Sequence, residues 1–213
     1  HRDIKPMNVV FNGETSKIID FGLSLNFRNE TNSFTNNITK SIYRYWPLEY
    51  NLVYSLVNNK MYKESDKKPV KIRKIMQSIS KLQNEGEYLV NTFADKRSDL
   101  VNITNQIIRY RLKNKKISDL DYHNMLYSKF DVFSIGITLD YVFNRSKFTP
   151  YITTRLRDHA NNLISNLANP CYSKRYDIKT ALLAYKEFLD NSGLLTKVET
   201  EKLERDYILY KGE

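Results

Sequence analysis

Residues 1–13 read "HRDIKPMNVVFNG", and residues 18–24 read "IIDFGLS". The segments "VVF" and "KIID" in and beside these runs are rich in β-branched residues, and they flank a turn sequence, "NGETS", at residues 12–16. This pattern predicts a short β-hairpin. Such a hairpin brings Asp20 back beside Asn8, so the spacing alone predicts a carboxylate and an amide at one end of a small ribbon.

Four polar side chains in these runs suit the transfer of a phosphoryl group. That reaction depends on positioned charge and metal more than on covalent chemistry by the protein. Asp3 is the candidate to accept or orient the proton of the attacking hydroxyl, and Lys5 can neutralise charge on the transferred group. Asn8 and Asp20 offer the oxygen ligands that Mg²⁺ prefers. The sequence therefore predicts a catalytic and metal-binding cluster at the hairpin.

The two runs resemble the catalytic loop and the magnesium-binding Asp-Phe-Gly of eukaryotic-type protein kinases. Lys5, two residues after Asp3, is typical of the serine/threonine branch. The resemblance implies that Asp3 and Lys5 are catalytic, and that Lys5, Asn8 and Asp20 bind ATP and Mg²⁺, with Asn8 and Asp20 as the metal ligands. It also implies that Arg2 meets a phosphate on the activation segment. ATP and a protein substrate are the expected partners.

Three later features agree with the resemblance. The run "YRYWPLEY" offers Glu49 in the position of the Glu that ends the family's activation segment, although the two residues before it differ. Residues 128–143, "SKFDVFSIGITLDYVF", supply Asp131 and Gly136 of the family's buried-helix pattern. Arg175 precedes the last predicted helix, and the resemblance implies that it forms a buried ion pair with Glu49.

Two helices are predicted near these features. The segment 128–143 is apolar nearly all round, which is typical of a central buried helix. Asp177 is a candidate N-cap for a later helix. Apolar residues follow it at helical spacing: Ile178, Ala181, Leu182, Tyr185 and Leu189.

The expected fold is mainly α, a kinase-like C-terminal lobe over residues 1–190 with the small β-hairpin carrying the catalytic and metal-binding loops. Glu49 and Asp131 are 82 residues apart, far more than in most of the family. We therefore expect a helical insertion at about residues 57–127. Residues 191–213 are expected to form a C-terminal helical tail.

The sequence contains no Gly-x-Gly-x-x-Gly among its 6 glycines. The family's N-terminal lobe, with its glycine-rich loop and strand lysine, is therefore expected to lie before His1, and the chain is expected to be a fragment of a longer product. Two functions stay open. The chain is part of an active serine/threonine kinase, or it is a truncated, non-catalytic module that binds or scaffolds other proteins.

Composition excludes several classes of protein. Hydrophobic residues make up 41% of the 213 residues, with 16 Tyr and 10 Phe, which excludes a disordered chain. No run approaches the roughly 18 apolar residues of a membrane span. The single cysteine, Cys171, argues for a reducing compartment. The net charge is +10, but the densest basic run, "RYRLKNKK" at 109–116, is better explained as a solvated helix face than as a nucleic-acid surface.

The composition, rich in Asn and Lys, and the run "YRYWPLE" resemble kinases of large DNA viruses. That resemblance implies an intracellular location, in the cytoplasm of a host cell. The segment 23–47 is expected to regulate the kinase, because a phosphate there could bind Arg2 and order the segment. The alternative is a merely polar loop. The candidate acceptor residues are Thr31, Ser33, Thr35, Thr39 and Ser41.

Overall fold

A computed structural model of the chain describes residues 1–13, 15–24, 45–47 and 127–194. In these ranges the protein is mainly helical, with one small antiparallel sheet, as the sequence predicts. Several sequence predictions lie outside the described residues. They are Glu49, the acceptor residues of the segment 23–47, the insertion at 57–127 apart from its last residue, and most of the tail at 191–213.

The sheet is the predicted hairpin. Strand β1 (Val9–Phe11) pairs with strand β2 (Ser16–Ile18), and the register is Val9 with Ile18, Val10 with Lys17, and Phe11 with Ser16. In the turn, the backbone N–H of Thr15 donates to Asn12 Oδ1 at 2.8 Å. Gly13 has a φ of 97°, a left-handed value that a residue with a Cβ adopts only under strain. The strand residues are exposed, so the turn and the pairing of the backbone define the hairpin rather than a core beneath it.

Helix α1 (Phe130–Asp140) is the predicted central helix, and it is buried on several sides. A single π-helical turn (Tyr141–Arg145) extends it. The buried carboxylate of Asp140 accepts hydrogen bonds from Asn144 Nδ2 at 2.9 Å and from Arg145 Nε at 3.1 Å, which holds that turn. The buried residues of α1 are Phe130, Val132, Phe133, Ser134, Gly136, Ile137 and Asp140.

Helix α2 (Thr154–Leu167) follows a short 3-10 turn (Thr149–Tyr151). The Thr153 hydroxyl caps α2, because it accepts a hydrogen bond from the backbone N–H of Leu156 at 3.3 Å. The buried residues of α2 are Ala160, Leu163, Ile164 and Leu167, at the spacing of one helical face. This face packs against α1.

Helix α3 (Ile178–Ser192) begins at the predicted N-cap. The Asp177 carboxylate accepts a hydrogen bond from the backbone N–H of Thr180 at 2.8 Å, and the helix ends at Gly193 in a left-handed conformation. Of the apolar residues at helical spacing, Ala181 and Leu189 are buried and Leu182 is half-buried, whereas Ile178 and Tyr185 are 53% and 38% exposed.

Phe188 is also buried, and its ring meets the ring of Phe143 edge to face, with centroids 5.8 Å apart. Phe188, rather than Tyr185, is therefore the aromatic side chain of α3 in the shared core. The shared core of the three described helices contains Val132, Ala160, Leu163, Ile164, Leu167, Ala181, Phe188 and Leu189. None of the helices in the described ranges has the length and apolar character needed to cross a bilayer.

Candidate active site

Asp3 lies at the centre of a compact polar cluster. It is 4% exposed and sits just before a 3-10 turn (Pro6–Asn8). Its Oδ2 atom accepts hydrogen bonds from Lys5 Nζ at 2.8 Å and from Asn8 Nδ2 at 2.9 Å. Asn8 Nδ2 also donates to the backbone carbonyl of Asp3 at 2.9 Å. The cluster therefore brings three of the four predicted catalytic and metal-binding residues together and fixes the Asp3 carboxylate.

The orientation of the Asn8 amide follows from its partners. A backbone carbonyl only accepts hydrogen bonds, so the amide nitrogen of Asn8 must face Asp3. The amide oxygen, Oδ1, is then the atom that Asn8 can offer to a cation. Asn8 is 5% exposed, so this oxygen is held by a rigid and largely buried side chain.

Asp20 follows the hairpin directly. The backbone N–H of Ile19 donates to the carbonyl of Asn8 at 2.9 Å, which continues the pairing of the two strands by one step. Asp20 is exposed and has a φ of 63°, and its Oδ1 atom accepts a long hydrogen bond from the N–H of Gly22 at 3.4 Å. The hairpin thus brings the fourth residue to the end of the ribbon where Asn8 lies, as predicted from the spacing.

The oxygen atoms of Asn8 and Asp20 fit a magnesium ion by their chemistry. Mg²⁺ is usually held by one or two carboxylates or amides and keeps several waters or substrate oxygens. Within the described ranges, no group of three or more His, Cys, Asp or Glu side chains is placed to hold a metal ion. Because Mg²⁺ keeps several waters or substrate oxygens, two protein ligands are enough for such a site.

Asp131 anchors the start of the chain to helix α1. Its Oδ1 atom accepts a hydrogen bond from the backbone nitrogen of Arg2 at 2.9 Å. Its Oδ2 atom accepts a hydrogen bond from the backbone nitrogen of His1, also at 2.9 Å. These bonds connect residues about 130 positions apart in the sequence. A carboxylate on the first turn of a rigid helix therefore sets the position of the residues that lead into Asp3.

Arg2 reaches toward the segment that follows Asp20. Its Nε atom donates to the backbone carbonyl of Leu23 at 2.6 Å. Its own φ is 65°, a left-handed value. The predicted contact of Arg2 with a phosphorylated residue lies outside the described residues and stays a prediction.

His1 and Trp46 also belong to this site, although the sequence pattern did not predict them. The Nδ1 atom of His1 accepts the backbone N–H of Asp3 at 3.2 Å, so Nε2 carries the ring proton and donates to the carbonyl of Ile19 at 3.2 Å. The His1 ring also packs on Phe21, with centroids 4.7 Å apart. Trp46 donates from Nε1 to the carbonyl of Arg2 at 2.9 Å. The sequence features that could have indicated them are the histidine directly before Arg2 and Asp3 and the single tryptophan of the chain.

Arg175 is 1% exposed, and so the burial expected for it is found. Its Nε atom donates to the carbonyl of Asn169 at 2.9 Å, and its guanidinium carbon lies 4.8 Å from the centroid of the Phe133 ring. Such a cation over an aromatic face is favourable when it is shielded from water. The ion pair of Arg175 with Glu49 involves a residue outside the described ranges, and it stays a prediction.

Comparison of the chain with models of protein families, with curated proteins and with solved structures finds no match.

Proposed function

We propose that the chain is the C-terminal lobe of a serine/threonine protein kinase, which transfers the γ-phosphate of ATP to a protein hydroxyl. One observation carries the proposal. The buried carboxylate of Asp3 is bonded to both Lys5 and Asn8, and a hairpin returns Asp20 to the end of the ribbon where Asn8 lies. The chemistry of these four residues suits phosphoryl transfer, which depends on positioned charge and metal, and this supports the proposal.

In this proposal Asp3 receives the proton of the attacking hydroxyl. The two hydrogen bonds to its Oδ2 atom hold the carboxylate in one orientation, and a general base must be positioned before its basicity matters. Lys5 Nζ forms an ion pair with the Asp3 carboxylate. Because the Lys5 side chain is partly exposed, it can also contact an oxygen of the transferred phosphoryl group. In this proposal Asp3 acts on the attacking hydroxyl and Lys5 on the transferred phosphoryl group.

Asn8 Oδ1 and the Asp20 carboxylate are the atoms that would hold Mg²⁺. Magnesium, when bound, neutralises charge on the phosphates and orients them. The protein contributes the relative position of its two ligands, which the pairing of Ile19 with Asn8 maintains. Lys5, two residues after Asp3, supports serine and threonine rather than tyrosine as the phosphate acceptors.

Asp131 supports the same function from a distance. Its carboxylate binds the backbone nitrogens of His1 and Arg2, so that the loop before Asp3 is tied to helix α1. A loop held in this way loses little entropy when the reactants assemble, which is how positioning lowers a barrier.

The test uses the longest gene product that contains this sequence. The coding sequence before His1 is first read for an in-frame glycine-rich loop and a strand lysine, which the family uses to hold ATP. That product is then incubated with Mg-ATP and a general protein substrate, and its phosphoamino acids are identified. The proposal predicts Mg²⁺-dependent phosphoserine or phosphothreonine.

Two results would contradict the proposal. The proposal is wrong if the product contains the glycine-rich loop and the lysine but transfers no phosphate. A gene that encodes neither feature, together with a product that transfers nothing, would favour the non-catalytic binding module. The 213-residue chain alone is expected to transfer no measurable phosphate, because its own sequence has no glycine-rich loop.

A further inference from the structure

The backbone of Arg2 adopts a conformation that its own side chain disfavours. Among the described residues, Arg2 and Asp20 are the two non-glycine residues with a positive φ, at 65° and 63°. A side chain with a Cβ crowds the backbone in this left-handed region. Such a conformation persists only where the surroundings hold it. Because Arg2 directly precedes Asp3 in the sequence, the contacts that hold the backbone of Arg2 also determine the orientation of Asp3.

The peptide group between Arg2 and Asp3 is held at both of its polar atoms. The carbonyl oxygen of Arg2 accepts a hydrogen bond from Trp46 Nε1 at 2.9 Å. The N–H of Asp3 donates to His1 Nδ1 at 3.2 Å. Rotation of this peptide plane, which changes ψ of Arg2 and φ of Asp3, would break both bonds. The indole of Trp46 thus locks the peptide that presents the Asp3 carboxylate.

Trp46 is itself fixed by helix α1. It is 6% exposed, and its ring meets Phe130 edge to face, with centroids 6.3 Å apart. The carbonyl of the preceding residue, Tyr45, accepts a hydrogen bond from the buried Ser134 hydroxyl at 2.8 Å. The indole nitrogen therefore has a defined position relative to α1. A buried indole also needs a hydrogen-bond partner, and the Arg2 carbonyl satisfies that requirement.

We propose that Trp46 is a positioning residue for Asp3, which acts through its indole N–H on the peptide between Arg2 and Asp3. The importance of this position for catalysis rests on the proposed kinase function, whereas the restraint on the peptide does not. Residues 45–47 lie just before Glu49, the expected end of the activation segment. The arrangement of that segment's end would therefore set the orientation of the catalytic carboxylate through one hydrogen bond.

The first test is spectroscopic and needs no activity. The chain contains a single tryptophan, so its ¹H–¹⁵N spectrum has one indole N–H signal. We expect this proton to exchange slowly with solvent in the 213-residue chain. Trp46→Phe removes the donor and should shift the backbone amide signal of Asp3. Phe130→Leu is the matched control, because it removes aromatic packing from the indole but leaves the N–H in place, and the Asp3 amide should stay near its original position.

The second test is kinetic, in the active gene product. Trp46→Phe is expected to lower kcat for phosphorylation about tenfold to a hundredfold, the range expected when a catalytic group is misplaced by a fraction of a bond length to an ångström. The KM for ATP should change less than about twofold, because Asn8 and Asp20 keep their contacts. Phe130→Leu, assayed below the melting temperature of both variants, should leave kcat within about threefold of the original.

The possible outcomes separate this proposal from the proposed function. An indole N–H that exchanges as fast as free indole would overturn the proposal, and so would an Asp3 amide that does not respond to Trp46→Phe. Equal losses of kcat in the two variants would show that Trp46 acts only through packing, and would also overturn it. If the original product transfers no phosphate, the proposed function fails. The spectra then decide by themselves whether Trp46 restrains the peptide.

Discussion

Replacing Gly136 with alanine is expected to destabilise the protein, although the same change in most helices has the opposite effect. In a helix interior, glycine is less stable than alanine by roughly 0.5–1 kcal/mol. Gly136 lies in helix α1, where α1 crosses the C-terminal end of α2. A Cβ atom built at Gly136 would lie 2.7 Å from the backbone nitrogen of Ala168, 2.8 Å from Ala168 Cβ and 2.9 Å from Leu167 Cβ.

These distances set the magnitude of the effect. All three are shorter than real Cβ contacts, and one of the atoms belongs to the backbone, so no rotation of a side chain relieves the overlap. Overpacking of a core typically costs about 1–3 kcal/mol, and we expect the upper end of that range here. The gain in helix propensity offsets about 1 kcal/mol. The net loss is about 2 kcal/mol, which for a chain of this size lowers the melting temperature by about 4–8 °C.

The assay is thermal unfolding of the 213-residue chain, followed by circular dichroism. The double variant Gly136→Ala/Ala168→Gly, compared with Ala168→Gly alone, removes the overlap with Ala168 Cβ but keeps the overlaps with the Ala168 backbone nitrogen and with Leu167 Cβ. It should therefore recover only part of the loss. An unchanged or higher melting temperature for Gly136→Ala would refute the reasoning, because α1 and α2 could not then approach as closely as described.

Three further predictions concern charge and metal. A hydrogen bond from the Thr180 backbone N–H, and a further one from its side chain, lower the pKa of Asp177. The stability this cap contributes is therefore present above the unfolded pKa of about 3.9 and is lost as the pH falls through the lower folded value. Asp177→Asn, which keeps a capping oxygen, should flatten the acid side of the curve of melting temperature against pH; an unchanged acid side would contradict this. In the active product, Asn8→Ala and Asp20→Asn should each raise the Mg²⁺ concentration needed for half-maximal transfer, and unchanged values in both variants would exclude them as ligands. Arg175→Ala should lower the melting temperature markedly, and Arg175→Lys, which keeps the charge, should recover only part of the loss, because lysine cannot reproduce the bond from Nε or the planar contact with an aromatic ring; a melting temperature for Arg175→Lys equal to that of the original protein would argue against a specific role for the guanidinium.

Local features of this fold could be predicted from the sequence. The hairpin follows from two β-branched segments and a turn with Gly13, because its register depends on the turn and on neighbouring residues. The Asp177 cap follows in the same way from one side chain and the backbone three residues later. The cluster of Asp3, Lys5 and Asn8 is likewise formed within a few residues of chain. In each case, the interacting groups are close in sequence.

Features that depend on distant contacts could not be predicted. The periodicity of helix α3 identifies apolar residues but not their partners, so it does not show that Phe188 meets Phe143 while Tyr185 is partly exposed. The hydrogen bond from Trp46 to the Arg2 carbonyl joins residues 44 positions apart. A single tryptophan in a sequence carries no indication of its partner, because a buried indole N–H can be satisfied by any nearby acceptor.

The most direct test of the central claim is the ratio of phosphate-transfer rates of Asp3→Asn and the original protein, measured with Mg-ATP in the gene product that contains this chain. Asparagine has nearly the size of aspartate, but it cannot accept the hydroxyl proton. General-base catalysis contributes roughly 10²–10⁴ in rate, and the correct position of the base adds to this. We therefore predict a loss of several orders of magnitude. A rate for Asp3→Asn within tenfold of the original would contradict the account, because Asp3 would then not be the catalytic group.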